Sequence, residues 1–284
     1  MSFQTSLQKK FCADRPRRSH QQLSEYVNGA IQRGVSPDVV SAHVLNRTEV
    51  KQRKIESDIL KPSLSGSQIK RYASPKSDQY ILYTCRDTPI RQYPNALRFL
   101  EEHHHLNTCR EVKEGKHPWW ALHRPRDSEI FKSPKLIGLT TAKTIALFYD
   151  EKDHLFVTDA MYVFCPKSGL CPWAFMAVMQ SALFLFLYRL ANQGESRVIP
   201  QIKASKLDTI PFPLLKADAP KVTSMTSLCK GIIASKKQLA AAQTEKDRTY
   251  FENKCASLDR QIDALVYDLY GLTEPEIKIV EGVT

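Results

Sequence analysis

The stretch from Ser168 to Tyr188 constrains the fold most, because it holds no charged residue and contains the apolar run FMAVMQSALFLFLY. By length and composition it is nearly long enough to cross a bilayer. Pro172 suits the first turn of a helix, however, and Gln180 and Ser181 place polar groups in the middle of the segment. The pattern therefore favours one buried helix over about residues 172–191 that covers a sheet, rather than a membrane span.

Short segments with strand character precede this helix. They lie at residues 80–84, 136–140, 144–149, 155–157 and 161–164, and turn residues separate several of them. A separate helix is expected over about residues 93–107, starting at Pro94. The sequence thus predicts an α+β fold, with a mainly antiparallel, hairpin-rich sheet body and a packed apolar helix.

The pattern becomes helical after residue 221. Met225, Leu228 and Ile232 recur at helical spacing, as do apolar residues from Leu258 onward, and a capping-box signature begins at Thr273. This predicts a C-terminal helical arm over residues 221–284, with a domain boundary at residues 217–220. The apolar stripe suits dimerisation or docking on a partner, or packing against the chain's own body.

The charge of the chain favours a polyanionic partner. The formal net charge is +11 and the sequence pI is about 9.3. The excess lies in the first two parts of the chain, since residues 1–60 hold 10 Lys and Arg against 6 Asp and Glu and residues 61–216 hold 22 against 14. Residues 217–284 hold 9 against 10. Nucleic acid or an acidic membrane surface fits such a body. Residues 1–20 are expected to form a flexible basic arm.

The segment from residue 117 to residue 150 combines aromatic and cationic side chains. Trp119 and Trp120 precede Arg124 and Arg126, which flank a proline, and a β-branched run follows. Aromatic faces stack on bases, and arginine forks pair with guanine edges or phosphates. The alternative is a loop with a buried tryptophan pair and a solvated basic rim.

Long segments of the chain, in order, resemble one family. They include KPSLSGSQIKRY, YPNALRFLEEH, HPWWALHRPRDSEIFKSPKLI and VIPQIKASKLDTIPFP. The last of the resembling segments, DRQIDALVYDLYGLTEPEIKIVEG, resembles the C-terminal helices of the enzymes that carry this domain. The family is the TaqI-like C-terminal specificity domain of adenine-specific DNA methyltransferases and type IIG restriction-modification enzymes. The resemblance implies a target-recognition domain over residues 21–216, opening with a strand, a turn and a strand near residues 23–37.

The resemblance also implies double-stranded DNA as a partner. Arg124 and Arg126 are the candidates for direct contact, and Lys70, Arg71, Lys135, Lys143 and Arg197 are the candidates for positioning the DNA backbone. The full set of expected DNA-binding residues is Lys70, Arg71, Tyr72, Trp119, Trp120, His123, Arg124, Arg126, Lys135, Thr140, Thr141, Lys143 and Arg197.

The sequence lacks the motifs of the catalytic domain in such enzymes. It has no Asn/Asp-Pro-Pro-Tyr/Phe loop, no glycine-rich turn for S-adenosylmethionine and no phosphate-binding loop. We therefore expect no catalytic residues here, and S-adenosylmethionine on a separate methyltransferase subunit or domain. The implied role is to position an adenine-N6 methyltransferase, with or without a nuclease, in phage defence. The alternatives are an assembly subunit and a non-functional fragment of a split methyltransferase.

The cysteines and histidines predict no metal site. The seven cysteines are scattered without a Cys-x-x-Cys pair, which indicates reduced thiols in the cytoplasm. The three adjacent histidines at 103–105 point in different directions on a helix and cannot chelate one ion together. The first twenty residues show no secretory signal, and no membrane partner is expected.

Overall fold

The computed structural model describes residues 20–29, 31–73, 75–140, 144–192 and 202–282. In chain order the strands of this part are β1 (His20–Gln21), β2 (Gln32–Arg33), β3 (Val44–Asn46), β4 (Leu60–Ser63), β5 (Gln79–Leu82), β6 (Lys135–Leu139), β7 (Leu147–Asp150), β8 (Met161–Phe164) and β9 (Phe212–Pro213).

The α-helices of the described residues, in chain order, are α1 (Val40–His43), α2 (Arg47–Arg53), α3 (Pro94–His103), α4 (Arg110–Lys113), α5 (Glu129–Lys132), α6 (Pro172–Gln180), α7 (Ala182–Ala191), α8 (Ala204–Leu207), α9 (Pro220–Ala241), α10 (Glu245–Tyr270) and α11 (Glu274–Glu281). Short 3₁₀ helices lie at Leu23–Tyr26, Ser57–Ile59, Gly66–Gln68, Ile90–Gln92 and His104–Leu106.

The strands form antiparallel sheets, which confirms the predicted α+β class. A four-stranded sheet has the order β2-β8-β6-β7, a three-stranded sheet has the order β3-β5-β4, and β1 pairs with β9. The predicted strands at residues 80–84, 136–140, 144–149 and 161–164 correspond to β5, β6, β7 and β8. The predicted strand at 155–157 is wrong, since Phe156 forms only an isolated bridge to Ser63.

The four-stranded sheet is covered on both faces. Leu136, Leu147 and Phe164 pack in a core with Phe175 of α6. Their neighbours Ile137 and Val163 belong to a second core on the other face, with residues such as Phe131 and Phe156. Because successive strand residues point to opposite faces, burial of both faces explains why β8 and residues 136–139 of β6 are apolar throughout.

The single helix predicted over residues 172–191 is in fact two helices. α6 and α7 are bent by 61° at Ser181, which has extended backbone angles. The Ser181 hydroxyl accepts the Phe184 N–H at the start of α7 and donates to Val178 O. A serine that bonds locally in this way competes with helical hydrogen bonds and caps the next helix.

In the described part of the chain, no single helix is long and apolar enough to cross a membrane. The bent pair of α6 and α7 meets that test of length and composition only when the two are taken together. Phe175, Val178 and Leu187 from this pair are buried in the core beside the sheet. The predicted role of the segment, a packed apolar cover for the sheet, is confirmed.

The C-terminal helices form as predicted. α10 ends at Gly271 in the left-handed conformation, and a capping box between Thr273 and Glu276 begins α11. Met225 of α9 and Val266 of α10 lie in the same core as Phe175, so the apolar stripes pack against the chain's own body. Side chains from both sides of residues 217–220 share this core. The packing therefore does not separate two domains at this point, and the boundary stays a prediction.

The opening of the body differs from the expected strand, turn and strand. Leu23–Tyr26 is a 3₁₀ helix with a capping box between Gln22 and Glu25, and only β2 falls where a strand was expected. The buried Tyr26 hydroxyl donates to Pro213 O and accepts the Leu215 N–H. These contacts join the 3₁₀ helix to β9 and to the chain just after it, 187 and 189 residues further along the sequence. Local sequence patterns cannot predict contacts over such a separation.

Candidate nucleic-acid interface

Residues 117–126 are here called the Trp-Arg segment. Hydrogen bonds fix the backbone of this segment to two other parts of the chain, around Thr84 and around Ser36. Leu122 N–H donates to Thr84 O at 2.9 Å, just beyond β5. Ser36 and Arg124 exchange two backbone hydrogen bonds of 3.0 and 3.1 Å. The Thr84 hydroxyl donates to Trp120 O at 2.6 Å. The backbone of the segment is therefore fixed on both sides, although the segment is not itself part of a strand.

The tryptophans are half-buried. Trp119 stacks on His104 with ring centroids 4.6 Å apart, and meets Trp120 edge to face at 5.7 Å. Both rings pack on a third core built around α3, which includes Phe99 and Leu100. Much of their surface therefore packs against the core and supports the segment, as in the alternative of a loop with a buried tryptophan pair. Only part of each ring is left to contact a ligand.

The side chains of the two arginines in this segment differ in how far other residues bind them. Arg124 is exposed, and its side chain makes no ion pair or hydrogen bond with the described residues. Arg126 is half-buried and has a positive φ of 61°, its Nε donates to Gly34 O at 3.2 Å, and its carbonyl accepts the Tyr83 hydroxyl. Arg124 is thus available to a ligand, while Arg126 shapes the loop beside it.

Lys70, Arg71 and Tyr72 lie in a different place, beside the C-terminal helices. Arg71 donates to Gln180 O at 2.7 Å and pairs with Asp259 of α10 at 2.9 Å. Tyr72 is buried in the main core, and burial raises its pKa well above the usual value. Of the three predicted residues, only Lys70 has an exposed side chain.

The side chains of Lys135 and Thr140 are also buried and bonded within the protein. Lys135 is fully buried, where its ammonium pairs with Asp150 and donates to Phe131 O. It does not reach the surface, contrary to the phosphate contact predicted for it. Thr140 is buried, and its hydroxyl donates to Ala160 O at 2.9 Å. Thr141, Lys143 and Arg197, the remaining candidates, lie outside the described residues.

His123 belongs to a cluster that the sequence did not predict. The side chains of Asp38, His117 and His123 offer ligand atoms that all lie within 4.8 Å of one another. Asp38 comes close because Ser36, two residues earlier, pairs with Arg124. Since that pairing joins positions 88 residues apart in the chain, no local spacing rule could have found it.

Residues 61–212, more than half of the chain, match the family model of the TaqI-like C-terminal specificity domain. The chain belongs to this family. This result confirms the resemblance found in the sequence and identifies the class of domain that presents the Trp-Arg segment.

Comparison with solved structures finds two restriction enzymes. The type IIL enzyme MmeI, in complex with DNA, has a TM-score of 0.63 at 14% sequence identity, over 94% of this chain and 35% of that chain. The type IIG restriction endonuclease BpuSI has a TM-score of 0.46 at 11% identity, over 95% of this chain and 33% of that chain. At these identities the likeness to MmeI shows a shared fold, and the chain spans about a third of the length of both enzymes.

Proposed function

We propose that this chain recognises a specific DNA sequence in a restriction-modification system and positions an adenine-N6 DNA methyltransferase on that site. The observation that carries the proposal is Arg124, an exposed and unpaired guanidinium on a segment with a fixed backbone, within a specificity domain. The similar fold of MmeI, which was solved with DNA, supports the same role.

Rigid presentation matters for reading a base. An arginine fork pairs with guanine O6 and N7 only when the guanidinium plane is held in register with the base edge. The paired backbones of Ser36 and Arg124 fix the point from which the Arg124 side chain extends, and the left-handed backbone of Arg126 sets the direction in which the chain leaves the segment. We assign Arg124 to direct base or phosphate contact, and Arg126 with the two tryptophans mainly to support of that contact.

Nonspecific attraction comes from the charge of the body. Its excess of Lys and Arg neutralises phosphates and releases counterions, which makes binding strongly dependent on salt. Lys70 is exposed and suits backbone positioning. Thr141, Lys143 and Arg197 keep the same proposed role on the basis of their chemistry in the sequence.

We assign the chemical step to a catalytic partner. The sequence has no S-adenosylmethionine motif and no loop to receive a flipped adenine. Because the chain spans about a third of the length of MmeI, the methyltransferase is proposed to lie in a separate subunit or in another part of the same protein. The proposed setting is the cytoplasm, in defence against phage DNA, and dimerisation through the C-terminal helices remains a proposal.

DNA binding at two salt concentrations tests this function, with the chain alone and together with its methyltransferase. We expect salt-sensitive binding that becomes site-selective with the partner. Arg124→Ala should weaken binding to the preferred site by about 1–3 kcal/mol.

The matched control is Arg248→Ala, which removes the same charge from an exposed position on α10. It should leave site selectivity unchanged. Equal binding by the wild type and the Arg124→Ala variant would contradict the proposal, and a stable complex with the methyltransferase that never selects DNA would favour an assembly role instead.

A further inference from the structure

The cluster beside the Trp-Arg segment has the composition and spacing of a metal site. His123 Nδ1 lies 3.4 Å from Asp38 Oδ1 and 3.9 Å from the Cys109 Sγ. Ligand atoms around a tetrahedral zinc ion, with bonds of about 2.0–2.3 Å, lie roughly 3.3–3.7 Å from each other. The Asp38 and His123 atoms are already at that separation, and the His117 ligand atom lies within 4.8 Å of both. Cys109 is not among the residues whose ligand atoms all lie within 4.8 Å of one another, and its Sγ approaches through His123 alone, so this side chain must move toward the other two ligands.

Asp38 lacks the partners that a carboxylate in its position needs. Its side chain is 14% exposed, and Oδ2 is buried with no hydrogen-bond partner among the described residues. Buried carboxylate oxygens are normally hydrogen-bonded or paired with a cation. A cation bound to this carboxylate, through either oxygen, would compensate its buried charge.

His117 is prepared to act as a ligand. The residue is 3% exposed, and its Nε2 lies 3.2 Å from Ala121 O, which favours a proton on Nε2 and a lone pair on Nδ1. Metal-bound histidines are typically oriented by a backbone carbonyl in this way. At present Nδ1 accepts a hydrogen bond from Arg86 Nε at 3.1 Å, and Arg86 is exposed, so its side chain is free to leave toward solvent.

We propose that Asp38, His117 and His123, with the Cys109 thiolate as the fourth ligand, bind one divalent transition-metal ion of the zinc type. A mixed set of carboxylate, imidazole and thiolate suits zinc and not magnesium or calcium, which prefer oxygen ligands alone. The ion would fasten the Trp-Arg segment, which contains two of the ligands, to the loop after β2, which supplies the carboxylate.

This site differs from the expectation drawn from sequence spacing, which was that the chain holds no metal. The cysteine and histidines lie between residues 109 and 123, but the carboxylate comes from residue 38. Glu111 Oε2, 4.0 Å from His123 Nδ1, lies at the rim and is half-exposed. The proposal concerns metal binding by this chain and does not depend on what the domain recognises.

Metal titration of the purified full chain tests the site directly. After treatment with a chelator, the protein should take up one equivalent of Zn²⁺ by elemental analysis, and its melting temperature should rise on addition of Zn²⁺. Co²⁺ should give visible absorption of a tetrahedral complex, with a thiolate-to-metal band that Cys109→Ser removes.

Asp38→Asn is nearly isosteric and should weaken Zn²⁺ binding about tenfold or more. His117→Gln should do the same, whereas His105→Gln, which changes an exposed histidine, should not. Failure of the folded wild-type protein to bind Zn²⁺ or Co²⁺ would overturn the proposal, as would full binding by both ligand variants. Because no DNA is present, neither result would affect the proposed DNA recognition.

Discussion

Lys135 and Asp150 form an ion pair with 2.5 Å between Nζ and Oδ2, and both side chains are completely buried. The two residues are opposite each other in the register of β6 and β7. Asp150 also accepts the backbone N–H groups of Asp153 and Leu155 at 2.9 and 2.7 Å. Burial is the main cause that lowers the pKa of Lys135. The pair therefore connects the sheet to the chain that follows β7.

Removing one partner of this pair should be strongly destabilising. We expect Asp150→Ala to lower the free energy of unfolding by about 3–5 kcal/mol, because it leaves a buried ammonium uncompensated. Urea denaturation measures the change. Glu129→Ala, which breaks an exposed ion pair with Lys132, should cost less than about 1 kcal/mol. Similar costs for the two variants would show that the buried pair does not have this structural role.

Asp263 should make stability depend on pH. It accepts the Ala182 N–H at the start of α7, and burial raises its pKa from 3.8 to about 6. Since the raised pKa belongs to the folded state, the folded protein binds the proton more tightly, and the contribution of Asp263 to stability falls as the pH rises from about 4 to about 6.

Asp263→Asn keeps an oxygen acceptor for Ala182 and removes the charge. We expect it to stabilise the protein at pH 8 by up to about 3 kcal/mol, because a shift of one pKa unit corresponds to about 1.4 kcal/mol. The gain should disappear near pH 4. Unfolding curves across this range measure it, and a gain that is equal at both ends would contradict the assignment to Asp263.

Local patterns in the sequence predicted the strands β5 to β8, the start of α3 at Pro94 and the capping box at Thr273. These patterns gave wrong predictions where a residue distant in the sequence determines the local structure or the partner of a side chain. The helix break at Ser181 is stabilised in part by Asp263, 81 residues from Ala182. Arg71 is bound by Asp259, which lies 188 residues away. Without these contacts, a basic residue next to an aromatic one resembles a free DNA contact.

The same limit applies to the candidate site. The sequence identified the segment that contains Trp119, Trp120, Arg124 and Arg126, because its aromatic and basic residues are adjacent. It did not reveal which of the arginines is tethered. That depends on the carbonyl of Gly34, which accepts from Arg126 Nε.

Gly34 should tolerate no side chain. A Cβ at this position would lie 2.1 Å from Val157 O and 2.5 Å from Thr158 O, and both contacts are with backbone. We expect Gly34→Ala to destabilise the fold by about 3 kcal/mol or more, and thermal and urea unfolding measure the loss.

Gly231→Ala provides the matched control for this substitution. Gly231 lies within α9, where the nearest atom to a new Cβ is Leu258 Cδ1 at 3.4 Å. This variant should gain about 0.5–1 kcal/mol, because alanine is favoured over glycine inside helices. A Gly34→Ala variant as stable as the wild type would contradict the close approach seen here.

Selection of duplexes from a randomised pool, by the chain together with its methyltransferase, tests sequence recognition by the Trp-Arg segment most directly. The wild type should enrich one short motif, Arg124→Ala should lose or relax selection at one or two positions of it, and Arg248→Ala should select as the wild type does. The same motif, selected equally well by the Arg124→Ala variant, would contradict the account.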